Sequence, residues 1–104
     1  MKAGGPHRLT VTGDGASLSF NNVLVGDVWV CSGQSNMEFA VADSQNGAQE
    51  VATANDPGIR HFKVPKSWAA APSNTLAGGA WETTDPAHAG GFTAVGYFFA
   101  RELR

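Results

Sequence analysis

From His7 to Thr12, apolar Leu9 and Val11 alternate with polar neighbours, the period-two pattern of a strand with one buried face. Gly13-Asp14-Gly15 then reads as a turn, because glycine reaches positive φ without steric penalty. A second strand is expected through Leu18 and Phe20, and a third over Val23-Leu24-Val25, ending at Gly26-Asp27. At Val28 the pattern changes. Val28-Trp29-Val30-Cys31 is an unbroken apolar run, which predicts a parallel strand buried on both faces. It stops at the small polar tetrad Gly33-Gln34-Ser35-Asn36. Open α/β sheets bind ligands at the carboxyl ends of their strands, so a serine in such a turn would present its hydroxyl to a crevice.

Beyond Met37 the pattern weakens. Ala40 to Gly47 is small and polar and predicts a surface loop. Ala48 to Ala54 holds good helix formers with one large apolar residue, and predicts a short helix stopped by Asn55-Asp56-Pro57-Gly58. Ile59 to Val64 alternates again, as an edge strand closed by Pro65. Lys66 to Gly79 reads as a long loop carrying Trp68, Ala80 to Thr84 as a short extended piece, and Ala87 to Gly91 as a flexible link. The clearest helix comes last. Phe92, Val95, Phe99 and Leu103 form one apolar stripe, with Thr93 as N-cap and Arg101 and Arg104 at the end that favours positive charge. The alternation of strands and helices after Gly26 predicts an α/β fold.

Composition narrows the function classes. With 104 residues the chain has room for one small domain or a piece of a larger one. A formal net charge of -2 leaves no basic footprint for nucleic acid or an acidic membrane surface. No apolar run is long enough to span a bilayer as a helix, and the start, Met1 to Pro6, lacks the apolar core of a signal peptide. One cysteine, Cys31, rules out an internal disulfide and leaves the compartment open. At the end of a buried strand it is expected to be a small core residue.

A serine hydroxyl is a weak nucleophile at neutral pH and needs a base, a group that orients the base, and donors at the developing oxyanion. Ser35 supplies the first part, although a serine in a turn also bonds its own backbone. Gln34 and Asn36, on either side, either bond substrate or fix the turn. His7, His61 and His88 are scattered over a β segment, a strand and a loop, and read as solvated or packing residues rather than a base or metal site. Trp68 and Trp81 are expected to pack against the loop rather than wall a sugar site, and Asp27 and Glu38 to be solvated or turn-bonding.

Gly26 to Glu38 resembles the first signature block of the sialate O-acetylesterase group of carbohydrate esterases, within the SGNH hydrolase superfamily. Both flanks agree. Ala3-Gly4-Gly5-Pro6 followed by Leu9-Thr10-Val11 resembles the end of the β-rich domain preceding the catalytic domain, and Phe92 to Leu103 resembles the family's second conserved helix. The resemblance implies the end of a β-rich, sandwich-like domain over residues 1–26. Residues 27–104 would be the N-terminal part of a flavodoxin-like catalytic domain. It implies Ser35 as the nucleophile that removes O-acetyl groups from sugars, with Gln34, Asn36 and Gly96 toward the oxyanion or substrate. The expected partner is a small-molecule or glycan substrate bearing O-acetyl groups, with no cofactor, metal, nucleic acid or membrane, and a secreted or periplasmic location. The family's third block and its Asp-x-x-His pair are expected to lie outside this sequence, which makes the chain an inactive fragment. The alternative is a non-catalytic remnant or a small carbohydrate-binding or assembly module.

Overall fold

The computed structural model describes residues 2–104, which fall into two compact units divided between Val30 and Cys31. Both are built on antiparallel pairing, and the second adds short helices to it.

The first unit is a hairpin of β1 (Gly4–Gly13) and β2 (Ala16–Val25). Asp14 and Gly15 take φ of 48° and 76°, the pair of left-handed residues whose twist matches the strands they join. Leu9 pairs with Phe20 and Val11 with Leu18, so the alternating apolar positions share one face, while Thr10 and Ser19 bond hydroxyl to hydroxyl at 3.1 Å on the other. The expected second and third strands are one. Between the pairs His7–Val23 and Leu9–Phe20, β2 carries an extra residue, and Asn22 absorbs it at φ 59°. Asn-Asn bulges the strand here; it does not end it.

The run Val28-Trp29-Val30-Cys31 is not the buried parallel strand that its composition predicts. Val28, Trp29 and Val30 are 75%, 58% and 89% exposed, and both described sheets are two-stranded and antiparallel. A strand is defined by the ladder beside it. Among the described residues no strand pairs with this run, so its apolar character alone does not make it one.

In the second unit, Ser35–Glu38 form the one-turn helix α1, and Val41–Asp43 a 3₁₀ turn. Gly47–Thr53 form α2, Asp56–Phe62 strand β3 and Trp81–Thr84 strand β4. A 3₁₀ turn over Ala89–Gly91 precedes α3, Ala94–Leu103. Strands β3 and β4 pair antiparallel, Arg60 opposite Thr83, His61 opposite Glu82 and Phe62 opposite Trp81. Buried Thr84 donates its hydroxyl to the Ile59 carbonyl at 2.9 Å.

The core of this unit is small: Val41, Phe92, Ala94 and Tyr97, with Val51 and Phe98 packed against it. Three expectations change here. Ala40 to Gly47 is not a surface loop, because Val41 is fully buried and Gly47 is buried at the start of α2. Ala87 to Gly91 is not a loose link. The Asp85 carboxylate accepts the N–H groups of Ala87 and His88 at 2.9 and 3.1 Å, and Ala89 is fully buried behind that turn. The stripe on α3 is also reversed. Val95, Phe99 and Leu103 are 51%, 43% and 59% exposed, whereas Ala94 and Tyr97 face the core, and Phe92 lies ahead of the helix. The guanidinium of Arg101 rests over the Tyr97 and Phe98 rings and pairs with Glu50 of α2 at 2.6 Å. Arg104 pairs with Asp56 at 3.0 Å. That partner holds the Asp56 carboxyl below its ordinary range, against a smaller opposing effect of burial.

At Gly47 a Cβ would run into the backbone carbonyl oxygens of Val41 and Ala42. Backbone cannot yield as a side-chain tip does. Gly47→Ala should therefore lower stability by about 1–3 kcal/mol, despite the higher helix propensity of alanine. Urea denaturation followed by the Tyr and Trp signals checks this, and an unchanged or raised midpoint would show that the 41–47 turn is not packed this way.

Candidate active site

Ser35 opens α1 directly after Gly33 and Gln34. Gly33 takes φ 156°, which favours glycine, while a Cβ there would stand an ordinary 3.6 Å from Met37. Conformation, not space, requires the glycine. The Gln34 carbonyl accepts the N–H of Met37 at 2.9 Å and of Glu38 at 3.3 Å, and the Ser35 carbonyl accepts that of Phe39 at 3.1 Å. Ser35 is exposed, and among the described residues its hydroxyl makes no hydrogen bond. Exposed Gln34 and Asn36 likewise bond no described side chain or backbone group through their amides, and Gln34 does not cap the helix. Their amides do not hold the turn together.

A two-bond bridge holds it. The Phe39 carbonyl accepts the Ala94 N–H at 2.8 Å, and the Val41 N–H donates to the Phe92 carbonyl at 3.0 Å, with Ala40 opposite Thr93 in antiparallel sense. Thr93 occupies the N-cap position of α3, but its hydroxyl does not cap the helix. It donates to the Met37 sulfur at 3.5 Å. Glu38 pairs at the surface with Lys66 at 2.7 Å, whose hydrogen bond and charge lower the Glu38 pKa. So exposed a pair adds little stability, and it engages the one carboxylate next to the turn.

Gly96 lies in the first turn of α3, where N–H groups have no intrahelical acceptor. A Cβ on Gly96 would stand 2.9 Å from the Cys31 sulfur and 2.7 Å from Cγ2 of Thr93. The segment entering the serine turn thus lies directly on the helix. Cys31 is not the enclosed core residue its context predicts, because it is exposed; its sulfur fills the notch that the missing side chain of Gly96 leaves open.

The three histidines sit apart from this turn's chemistry in different ways. His7 is exposed in β1. His61 stacks on Phe92, ring centroids 4.5 Å apart and planes 23° from parallel. His88 bonds Asp85, Nδ1 to Oδ1 at 2.7 Å. Asp85-Pro86-Ala87-His88 has Asp-x-x-His spacing, a match that the expectation of a pair outside this sequence overlooks. The carboxylate that orients His88 also accepts the Thr83 hydroxyl at 2.7 Å, the first cause of its lowered pKa. This is the geometry of an oriented imidazole, but on the wrong side of the bridge. In an antiparallel pairing the residues before Ala40 run alongside those after Thr93, and those before Thr93 run alongside those after Ala40. Ser35 therefore lies with α3, and His88 with the Val41–Asp43 turn, which packs on Ala89–Gly91.

Trp68 is fully exposed rather than packed on its loop, and Trp81 meets Phe62 edge to face at 5.5 Å. Among the described residues no three His, Cys, Asp or Glu side chains gather as a metal site would require.

The chain resembles known proteins. The chain is similar to the sialate O-acetylesterases of Rattus norvegicus and Homo sapiens, 41% identical to each over 69 residues, which is 62% of this chain and 13% of theirs. It superposes on the crystal structure of a carbohydrate acetylesterase from Xanthomonas citri with a TM-score of 0.92 and 58% identity, over 98% of this chain and 24% of that one. No family model matches. The chain thus spans a small part of the length of each relative. The resemblance read from the Gly26–Glu38 block is borne out, and these homologues are ester hydrolases of acetylated carbohydrates by name.

The fit of Cys31 to Gly96 yields a direct test. Gly96→Ala should destabilise by about 1–2 kcal/mol, although alanine is the better helix former by nearly as much. Adding Cys31→Ala should restore part of the loss. Chemical denaturation of the two single variants and the double variant measures the coupling, and additive effects would mean that the turn's entry segment does not rest on α3.

Proposed function

We infer that the chain carries the nucleophile half of a carbohydrate O-acetylesterase of the sialate O-acetylesterase kind, with Ser35 as the nucleophile. One observation carries this reading. The exposed hydroxyl of Ser35, engaged by no described residue, opens a one-turn helix within a segment that superposes on a carbohydrate acetylesterase. In the proposed reaction, Ser35 Oγ adds to the acetyl carbonyl carbon as its proton passes to a base. The tetrahedral oxyanion collapses, the C–O bond to the sugar breaks, and the base passes the proton to the departing sugar oxygen, which leaves as a hydroxyl. Water then attacks the acetyl-serine by the reverse relay and releases acetate. The Ser35 N–H, the first-turn N–H of Gly96 and the Asn36 amide are the donors proposed for the oxyanion, and the Gln34 amide for the substrate. No cofactor enters the scheme.

The base and its orienting carboxylate are proposed to come from polypeptide other than the described residues, since Asp85–His88 is turned to the other side of the bridge. The chain is then an incomplete part of a flavodoxin-like SGNH hydrolase domain. Residues 1–26 end a β-rich domain and residues 27–104 begin the catalytic one. The separate hairpin unit, which ends at Val30 rather than at Gly26, supports a division near this point. The absence of a base beside Ser35 among the described residues equally favours the second reading, a non-catalytic remnant or module.

Two measurements separate them. The 104-residue chain alone should hydrolyse an aryl acetate no faster than its Ser35→Ala variant, and robust Ser35-dependent turnover would show a base within the chain. A chimera in which this chain replaces the matching segment of the Xanthomonas citri enzyme should hydrolyse acetylated sugar, and Ser35→Ala in it should cost about 10⁴-fold or more in kcat. An active chimera indifferent to Ser35→Ala removes Ser35 as nucleophile. A well-folded but inactive chimera favours the non-catalytic reading.

A further inference from the structure

His61 is the one histidine of the second unit that stacks on the core. Its ring lies 4.5 Å from that of Phe92, nearly parallel, and its Nδ1 is buried with no hydrogen-bond partner. A buried N–H without an acceptor is costly, so the neutral ring places its proton on Nε2 and leaves Nδ1 a bare lone pair. Protonation reverses this. It puts an N–H at the buried Nδ1 with no acceptor, and a charge on a half-buried ring. Phe92, the surface the ring rests on, is 1% exposed, and its carbonyl is the acceptor for Val41 N–H in the bridge behind the serine turn.

We propose that His61 is a positioning residue whose neutral ring, through its stack on Phe92, holds the bridge that fixes the turn of Ser35, and that protonating the ring releases this bridge. The charged groups acting on the ring are Glu82, its cross-strand partner in β4, which favours the imidazolium, and Lys63 on its own segment, which opposes it. Burial outweighs Glu82, and the His61 pKa is lowered. The sign follows from this direction. A histidine that protonates less readily in the folded chain than in the unfolded one contributes stability above its unfolded pKa, and that contribution fades as pH falls through its folded value. The coupling to the bridge stands on the stack alone; its relevance to acyl transfer rests on Ser35 being the nucleophile.

Amide hydrogen exchange and nitrogen-15 spectroscopy of the 104-residue chain test the coupling without any activity. As pH is lowered from about 8 until the ring nitrogens report protonation, the His61 ring should pass from its Nε2–H tautomer to the imidazolium. After correction for the intrinsic rate, the Val41 and Ala94 amides should lose protection by roughly tenfold or more. The hairpin amides of Thr10 and Ser19 should hold theirs. His61→Phe keeps an aromatic ring on Phe92 without a titrating group, and should keep both bridge amides protected across the range. Several outcomes overturn the proposal: a Nδ1–H tautomer, bridge amides unprotected at about pH 8 or unchanged through the titration, or His61→Phe losing protection in parallel with the wild type. If only the chimera assay fails, the reading of Ser35 falls and the coupling stands.

Discussion

The second unit depends on two backbone hydrogen bonds, Ala94 N–H to the Phe39 carbonyl and Val41 N–H to the Phe92 carbonyl. The serine turn ends and α3 begins at the same end of this bridge, where Phe39 meets Ala94. α1 is a single turn, and a helix that short does not persist by itself. Its geometry is imposed by the segment on its C-terminal side. Phe39 to Val41 must lie against Phe92 to Ala94, and with that pairing come the Met37 sulfur against Thr93, Val41 in the core and Cys31 over Gly96. Such a bridge keeps its bonds only while Val41 and Phe92 stay shielded from water, so the packing of those two side chains and the placing of the serine are one constraint.

The antiparallel sense of the bridge also decides what Ser35 can meet. It sends the serine toward the first turn of α3, and sends the Asp85–His88 pair toward the opposite end. Short distances within Asp85–His88 resemble those of a catalytic dyad. The four donors converging on Asp85, from Thr83, Ala87 and the backbone and ring of His88, describe a carboxylate that closes a turn. Position relative to the nucleophile separates the two roles, and internal geometry alone does not.

Much of this was legible in the sequence where the cause is local. Gly13-Asp14-Gly15 needs left-handed residues and has them, α2 forms over helix-forming residues, and the Gly33–Asn36 turn reads correctly because glycine, amide and serine suit it. Features that depend on distant partners were not legible. Val41 is one apolar residue in a small polar stretch, and it is buried by Phe92, far along the chain. On α3 both faces are apolar. Periodicity finds the stripe Phe92, Val95, Phe99 and Leu103, of which Phe92 alone is buried, while the covered face of the helix, Ala94 and Tyr97, follows from the bridge bond that pins Ala94. The 28–31 run failed for the converse reason: its residue types suit a buried strand, but a strand needs neighbours.

Those same features bear on the chemistry. An acyl-transfer serine must be rigid in position yet free at its oxygen. A hydroxyl tied to its own turn would satisfy the first need and fail the second. Here the holding contacts lie in the backbone on the far side of α1, in the Met37 sulfur and in the notch at Gly96. None draws on the Ser35 oxygen or on the amides of Gln34 and Asn36. The division of labour runs through residue type: apolar and glycine positions carry the constraint, so the polar ones remain unspent. A turn serving only to connect two elements gains nothing by leaving three polar side chains in a row without partners among the described residues. A turn that must receive a carbonyl does.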